Sequence, residues 1–116
     1  MRNGNYDLEE RTFIFAKNCR LLVKQIKLTL INVEDCKQLI RSSGSIGANY
    51  IEANEALSKK DFRYRIKICR KESKESKYWL DLLFESNRNL QNEITSLSVE
   101  AEELKLIFSA ILGNTK

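Results

Sequence analysis

Six basic side chains on one segment are the residues best placed to do chemistry in this sequence. Lys60, Arg63, Lys67, Arg70, Lys74 and Lys77 recur in steps of three, four, three, four and three, a spacing that keeps them on one side of an α-helix. At a rise of 1.5 Å per residue the row is ~25 Å long. Its chemistry is electrostatic, a line of cations set against the repeating phosphates of a nucleic-acid strand. Arg65 and Lys71 lie off the row and widen the field. Asp61, Glu72 and Glu75 are too few to neutralise the nine cations between residues 59 and 77. No aromatic residue interleaves with the row in the way a single-strand stacking platform would require, so contact with the phosphate backbone is expected and base-specific readout is not. The competing readings are a solvated helix face, or cations paired with the acidic last segment or with a neighbouring subunit.

Other chemistry is scarce. Histidine is absent, which removes the commonest general base and the commonest nitrogen ligand for a metal. There is no phosphate-cradling glycine loop and no nucleophile elbow. Glu52 and Glu55 lack the Glu-x-x-His partners of a carboxylate-bridged metal bundle. Cys19, Cys36 and Cys69 are widely spaced, with no C-x-x-C pair, and read as small buried apolar residues in a reducing compartment. No catalytic residue, metal site or cofactor is expected. Asn49, flanked by small residues, reads as a hydrogen-bonded side chain that fixes helix register.

The elements that position the row follow from composition and periodicity. The chain has 116 residues, no proline, four glycines and 31% charged residues. That describes one all-α domain of long helices joined by short polar turns. Net charge is only +4, but residues 78–115 hold two basic and six acidic side chains, so the basic character is local to residues 59–77. No apolar run approaches the ~20 residues of a membrane span. The opening MRNGNYDLEER has no apolar segment of the signal-peptide kind, and a cytoplasmic location without membrane contact is expected.

Four helices are predicted. The first runs from about Asp7 to Leu30 on the seam Leu8, Thr12, Phe15, Cys19, Leu22, Ile26 and Leu30, with Ile14, Leu21 and Leu28 on a second seam. The second starts at an Asn32–Asp35 capping pair and continues to about Leu57. Its seam is Cys36, Leu39, Ile40, Ser43, Ile46, Tyr50, Ala53 and Leu57. Gly44 and Gly47 fall inside it and each costs about 1 kcal/mol against alanine, so close approach of another helix is expected there. A loop at Ser42–Ser45 is the alternative. Ser58 and Asp61 cap the third helix, whose seam is Phe62, Ile66, Cys69, Ser73, Ser76, Leu80 and Leu83. Trp79 and Phe84 lie beside that seam, where they could fill an intersubunit surface. The segment from Asn87 to Thr95 reads as the longest connection. The last helix is expected from Ser96 or Ser98, with Leu97, Ala101, Leu104, Phe108 and Ile111 inward. Glu100, Glu102 and Glu103 complement its dipole and Gly113 ends it. The predicted architecture is an antiparallel up-down-up-down bundle over residues 7–112, with flexible ends at 1–6 and 113–116.

Three runs carry a resemblance: S-I-G-A-N-Y-I-E-A-N at 45–54, S-K-K-D-F at 58–62 and C-R-K-E-S-K-E-S at 69–76. They resemble the bacterial four-helix-bundle family encoded in intervening sequences of 23S rRNA genes, some of whose members carry a ribosomal-protein label. The family is also similar to the accessory variability protein of diversity-generating retroelements, which forms a basic pentameric ring that binds a reverse transcriptase and nucleic acid. The resemblance spans about residues 7 to 112 and is strongest in the two central helices. It implies a four-helix bundle, a ring-shaped homo-oligomer (a pentamer) and a basic binding surface, and it supplies no catalytic residues. Ser45, Ile46, Asn49, Arg70 and Glu75 fall on the family's recurrent positions. Ala53-Asn54 departs from the Glu-Gly or Gly-Asn variants that many members carry.

The functional expectation is a non-enzymatic oligomeric bundle that presents the six-residue row to RNA, DNA or a nucleoprotein, without base-specific readout. The alternative is an oligomeric scaffold that binds only protein partners.

Overall fold

The computed structural model describes residues 7–115. Within them the chain folds into four α-helices and no strand: α1 (Leu8–Gln25), α2 (Val33–Asn54), α3 (Lys59–Ser86) and α4 (Gln91–Asn114), with a single 3₁₀ turn, Arg88–Leu90, before the last. They form a four-helix bundle. The central helix α3 packs extensively on both α2 and α4, and α1 closes the other side against α2 and α4.

The expected seams supply the core. Phe15, Cys19, Leu22, Leu39, Ile46, Ile66, Cys69, Leu80, Leu83, Leu104 and Phe108 are all buried. Trp79 and Phe84 pack against this core in their own chain. Between α2 and α3 the seam narrows to hydroxyls. Ser42, Ser43, Ser73 and Ser76 are fully buried, and the Ser42 and Ser76 oxygens lie 2.8 Å apart in a hydrogen bond. Ser73 donates to the Cys69 carbonyl at 2.8 Å. Small side chains let the backbones approach, and each buried hydroxyl finds an acceptor, which removes the cost of burying it. Burial pushes the Cys19 and Cys69 thiols up to about 12, so neither is a reactive thiolate near neutrality.

α2 is unbroken through Ser42–Ser45, and its two glycines meet α1 differently. A Cβ at Gly47 would sit 3.0 Å from the Thr12 hydroxyl, on a buried side chain that donates to the Leu8 and Glu9 carbonyls. At Gly44 the nearest atom, at 3.1 Å, is the end of the Arg20 guanidinium, which can move. Gly44→Ala is therefore expected to gain up to about 1 kcal/mol of helix propensity, whereas Gly47→Ala gains nothing or loses stability because Thr12 must yield. Parallel urea unfolding of the two variants checks this, and equal stabilisation by both would refute it.

Several expected boundaries are corrected. α1 stops at Gln25, not Leu30: Ile26 is already extended, and residues 26–32 form a loop. Asn32 builds that loop. Its side chain accepts from the Thr29 N–H at 2.9 Å and donates to the Lys27 carbonyl at 3.1 Å, so it makes no capping bond to α2. Leu30 is consequently 94% exposed, and Leu21 and Leu28 of the second seam are exposed too. α2 ends at Asn54, leaving Leu57 97% exposed. Ser58 caps α3 as expected, accepting from Asp61 N–H at 3.0 Å.

α4 starts at Gln91, well before the expected serines, because Ile94 and Leu97 are buried on its inner face and Leu90 of the preceding turn is buried too. Asn87 stops α3 by donating to the Leu83 carbonyl. Glu93 occupies the first turn of α4, while Glu100 and Glu103 lie further along and bind Arg11 of α1 at 2.7 and 2.8 Å. Those carboxylates raise the Arg11 guanidinium further above its ordinary range. α4 continues through Asn114, past Gly113. The expected flexible ends at 1–6 and Lys116 lie outside the described residues.

Candidate nucleic-acid interface

All six residues of the basic row sit on α3, but the fold divides them. Lys60, Lys67 and Lys74 are exposed, whereas Arg63, Arg70 and Lys77 are half-buried. The reason is angular: 60, 67 and 74 are spaced by heptads and face away from the bundle, while 63, 70 and 77 lean toward α4. Arg63 donates to the Leu112 carbonyl at 2.7 Å and to the Thr115 hydroxyl at 3.0 Å. It closes the C-terminus of α4, where a cation also meets the negative end of the helix dipole. Lys77 pairs with Asp81 at 3.0 Å, and the other oxygen of Asp81 accepts from Ser98 of α4 at 2.8 Å. Among the described residues, Lys60, Lys67, Arg70 and Lys74 make no ion pair or side-chain hydrogen bond.

The expected off-row cations also divide. Arg65 donates to the Asn49 side-chain oxygen at 2.9 Å, and Asn49 in turn donates to the Ser45 carbonyl at 2.9 Å and hydroxyl at 3.0 Å. Asn49 is thus a register-fixing bridge between α2 and α3. Lys71 remains exposed, with only a loose 3.9 Å approach to Glu75. Glu72 and Glu75 are held by Arg41 of α2 at 3.2 and 2.7 Å, which weakens their claim on the lysines. The acidic last helix spends Glu100 and Glu103 on α1, and Glu102 pairs with Lys105 of its own helix at 3.0 Å. Between α3 and α4 lies an open cleft of about 230 Å³ lined by Ser73, Lys74, Lys77, Tyr78, Asp81 and Lys105, among others.

Two exposed aromatics, Tyr64 and Tyr78, bracket the cations of this face. They are 59% and 58% exposed and share the outward face of α3 with the unpaired lysines. Along that face Tyr64, Lys67, Lys71, Lys74 and Tyr78 succeed one another in steps of three, four, three and four, within an arc of about 80°. A row drawn through the basic residues alone passes over them. The signal that would have found them is the heptad spacing of Tyr64, Lys71 and Tyr78. No described helix is long and apolar enough to cross a membrane.

Comparison with known proteins bears on the bundle as a whole. No curated protein matches the sequence. A crystal structure of a protein of unknown function from the S23 ribosomal protein family of Bacteroides thetaiotaomicron is similar, with a TM-score of 0.79 and 29% identity over 91% of this chain and 98% of that one. The model for 23S rRNA-intervening sequence proteins matches residues 5–110, which takes in α1, α2, α3 and most of α4. The chain belongs to the 23S rRNA-intervening sequence protein family.

Proposed function

We propose that this protein is a non-enzymatic, cytoplasmic, self-associating bundle whose α3 face binds nucleic acid or a nucleoprotein through the phosphate backbone. One observation carries the reading: Lys60, Lys67, Arg70 and Lys74 stand along α3 without a partner among the described residues, and Glu72 and Glu75 of the same helix are held by Arg41. Unpaired cations spaced along ~21 Å of helix match a polyanion better than any discrete ligand. The seat comprises these four residues together with Lys71, while Arg63 and Lys77 act structurally.

In this reading the helices alternate up-down-up-down and the protomers assemble into a ring, as the resemblance to the accessory variability protein implies. The alternation is supported by the pairs Ser42–Ser76 and Asn49–Arg65 between α2 and α3, and Asp81–Ser98 and Arg63–Leu112 between α3 and α4, in which one number rises as the other falls. Self-association is supported by Leu30 and Ile31, which project from the α1–α2 loop largely uncovered. The same exposed apolar residues favour the second reading, a scaffold for protein partners alone.

Size-exclusion chromatography with light scattering, run with labelled single-stranded RNA and DNA at low and high salt, separates the readings. A defined oligomer that carries either strand at low salt and releases it at high salt is the expected result. A defined oligomer that ignores both strands leaves the scaffold ahead, and a monomer removes the ring.

A further inference from the structure

The outward face of α3 carries more than charge. Tyr64 and Tyr78 bracket Lys67, Lys71 and Lys74 along a single stripe, and the two rings are fourteen residues, or about 21 Å, apart. Each ring is braced by the residue that follows it. The Arg65 guanidinium lies 5.9 Å from the centre of the Tyr64 ring and is itself held by Asn49. A cation over one face of Tyr64 fixes the ring and leaves its other face to solvent. Tyr78 meets Trp79 edge-to-face, at 5.0 Å between centroids and 75° between planes. Trp79 packs on the core, so the Tyr78 ring is anchored yet more than half exposed.

We infer that this stripe is a binding site for single-stranded nucleic acid, in which unpaired bases stack on Tyr64 and Tyr78 while Lys67, Lys71 and Lys74 take the intervening phosphates. The inference rests on the nucleic-acid reading above and deepens it by naming the form of the strand. Duplex bases are already stacked and offer no free face to an exposed ring, whereas every unpaired base does, whatever its identity. Braced rings lose little freedom on binding, and the span suits about four extended nucleotides, at the low end of single-strand site sizes. Arg65 and Asn49 are positioning residues, acting through the Tyr64 ring.

The test compares binding of a labelled oligothymidylate, an abasic phosphodiester of equal length and a DNA duplex, using the full chain and its Tyr64→Ala, Tyr78→Ala, Tyr64→Phe and Tyr78→Phe variants. These positions are exposed, and unchanged far-UV circular dichroism verifies that the variants fold. The wild type is expected to prefer oligothymidylate to the abasic strand and to the duplex. Each alanine variant is expected to lose on the order of tenfold in affinity for oligothymidylate, and each phenylalanine variant to keep wild-type affinity. Salt-sensitive binding of wild type that is equal for the abasic strand and unaffected by either alanine would overturn the stacking site and leave the phosphate reading standing. Failure of the wild type to bind any of the three polymers would overturn both.

Discussion

A protein in which Lys60, Lys67, Arg70 and Lys74 are replaced together by glutamate is expected to lose nucleic-acid binding while keeping its helical circular dichroism. These four are the cations of α3 for which the fold has no visible use: none has a partner among the described residues. Five phosphate contacts, Lys71 included, predict a log–log salt slope of about −3.5 for a single strand, so wild-type affinity should drop by roughly 130-fold between 50 and 200 mM salt. Reversal removes that attraction at the four replaced residues and adds repulsion at the same four points. A loss of about a thousandfold, beyond the range of an ordinary titration, is the expected magnitude. Arg63 and Lys77 are left untouched because reversing them would disturb the fold. A glutamate at 63 would face the carbonyl end of α4 where Arg63 now donates, and one at 77 would oppose Asp81. Titrations by fluorescence anisotropy at two salt concentrations measure both the loss and the slope. Undiminished binding by the fourfold variant would move the site off α3 altogether.

The contrast between these four and the other two members of the row marks how far the sequence could be read. Periodicity placed all six on one helix, and that placement holds. It did not separate a cation that finds a partner from one that does not: Arg70 lies between Arg63 and Lys77 around the helix and has none, while the atoms that engage Arg63 belong to Leu112 and Thr115, far away in sequence. Charge alone also drew attention away from Tyr64 and Tyr78. Tyrosine is often a core residue, and only the packing of α3 against two neighbours shows which of its faces is left over.

Two helix boundaries depart from the expected ones, for opposite reasons. Leu28 and Leu30 continue the apolar rhythm of α1, yet the helix ends at Gln25, because Asn32 closes a loop with bonds to Thr29 and Lys27. Local hydrogen bonding by an asparagine competes with helix continuation, and hydrophobic periodicity is blind to it. At the start of α4 the opposite happened. Asn87 to Thr95 is rich in turn-forming residues, but burial of Leu90 and Ile94 outweighs that local preference. The serine-rich seam between α2 and α3, by contrast, was legible from the sequence. Several serines in one helix, facing two serines in the seam of the next, have few stable arrangements other than close packing, whereas Gly44 and Gly47 turn toward α1.

That seam carries the largest expected effect on stability, in Ser76→Leu. Ser76 is fully buried and its hydroxyl pairs with Ser42 at 2.8 Å. Leucine would add bulk where two backbones are held together by small side chains, a change that costs about 1–3 kcal/mol by overpacking. It would also leave the Ser42 hydroxyl with only the long 3.5 Å contact to the Leu39 carbonyl, a further cost of about 1–3 kcal/mol for an unsatisfied buried group. The sum, about 2–6 kcal/mol, is a large share of the 5–15 kcal/mol that holds a domain of this size together. Ser76→Ala isolates the hydroxyl and is expected to cost about 1 kcal/mol. The double change Ser42→Ala with Ser76→Ala should recover part of that loss, since no donor is then left without a partner. Urea unfolding followed by circular dichroism ranks the variants. A Ser76→Leu protein as stable as wild type would mean that α2 and α3 can separate at no cost, and the small residues of both helices would need another explanation.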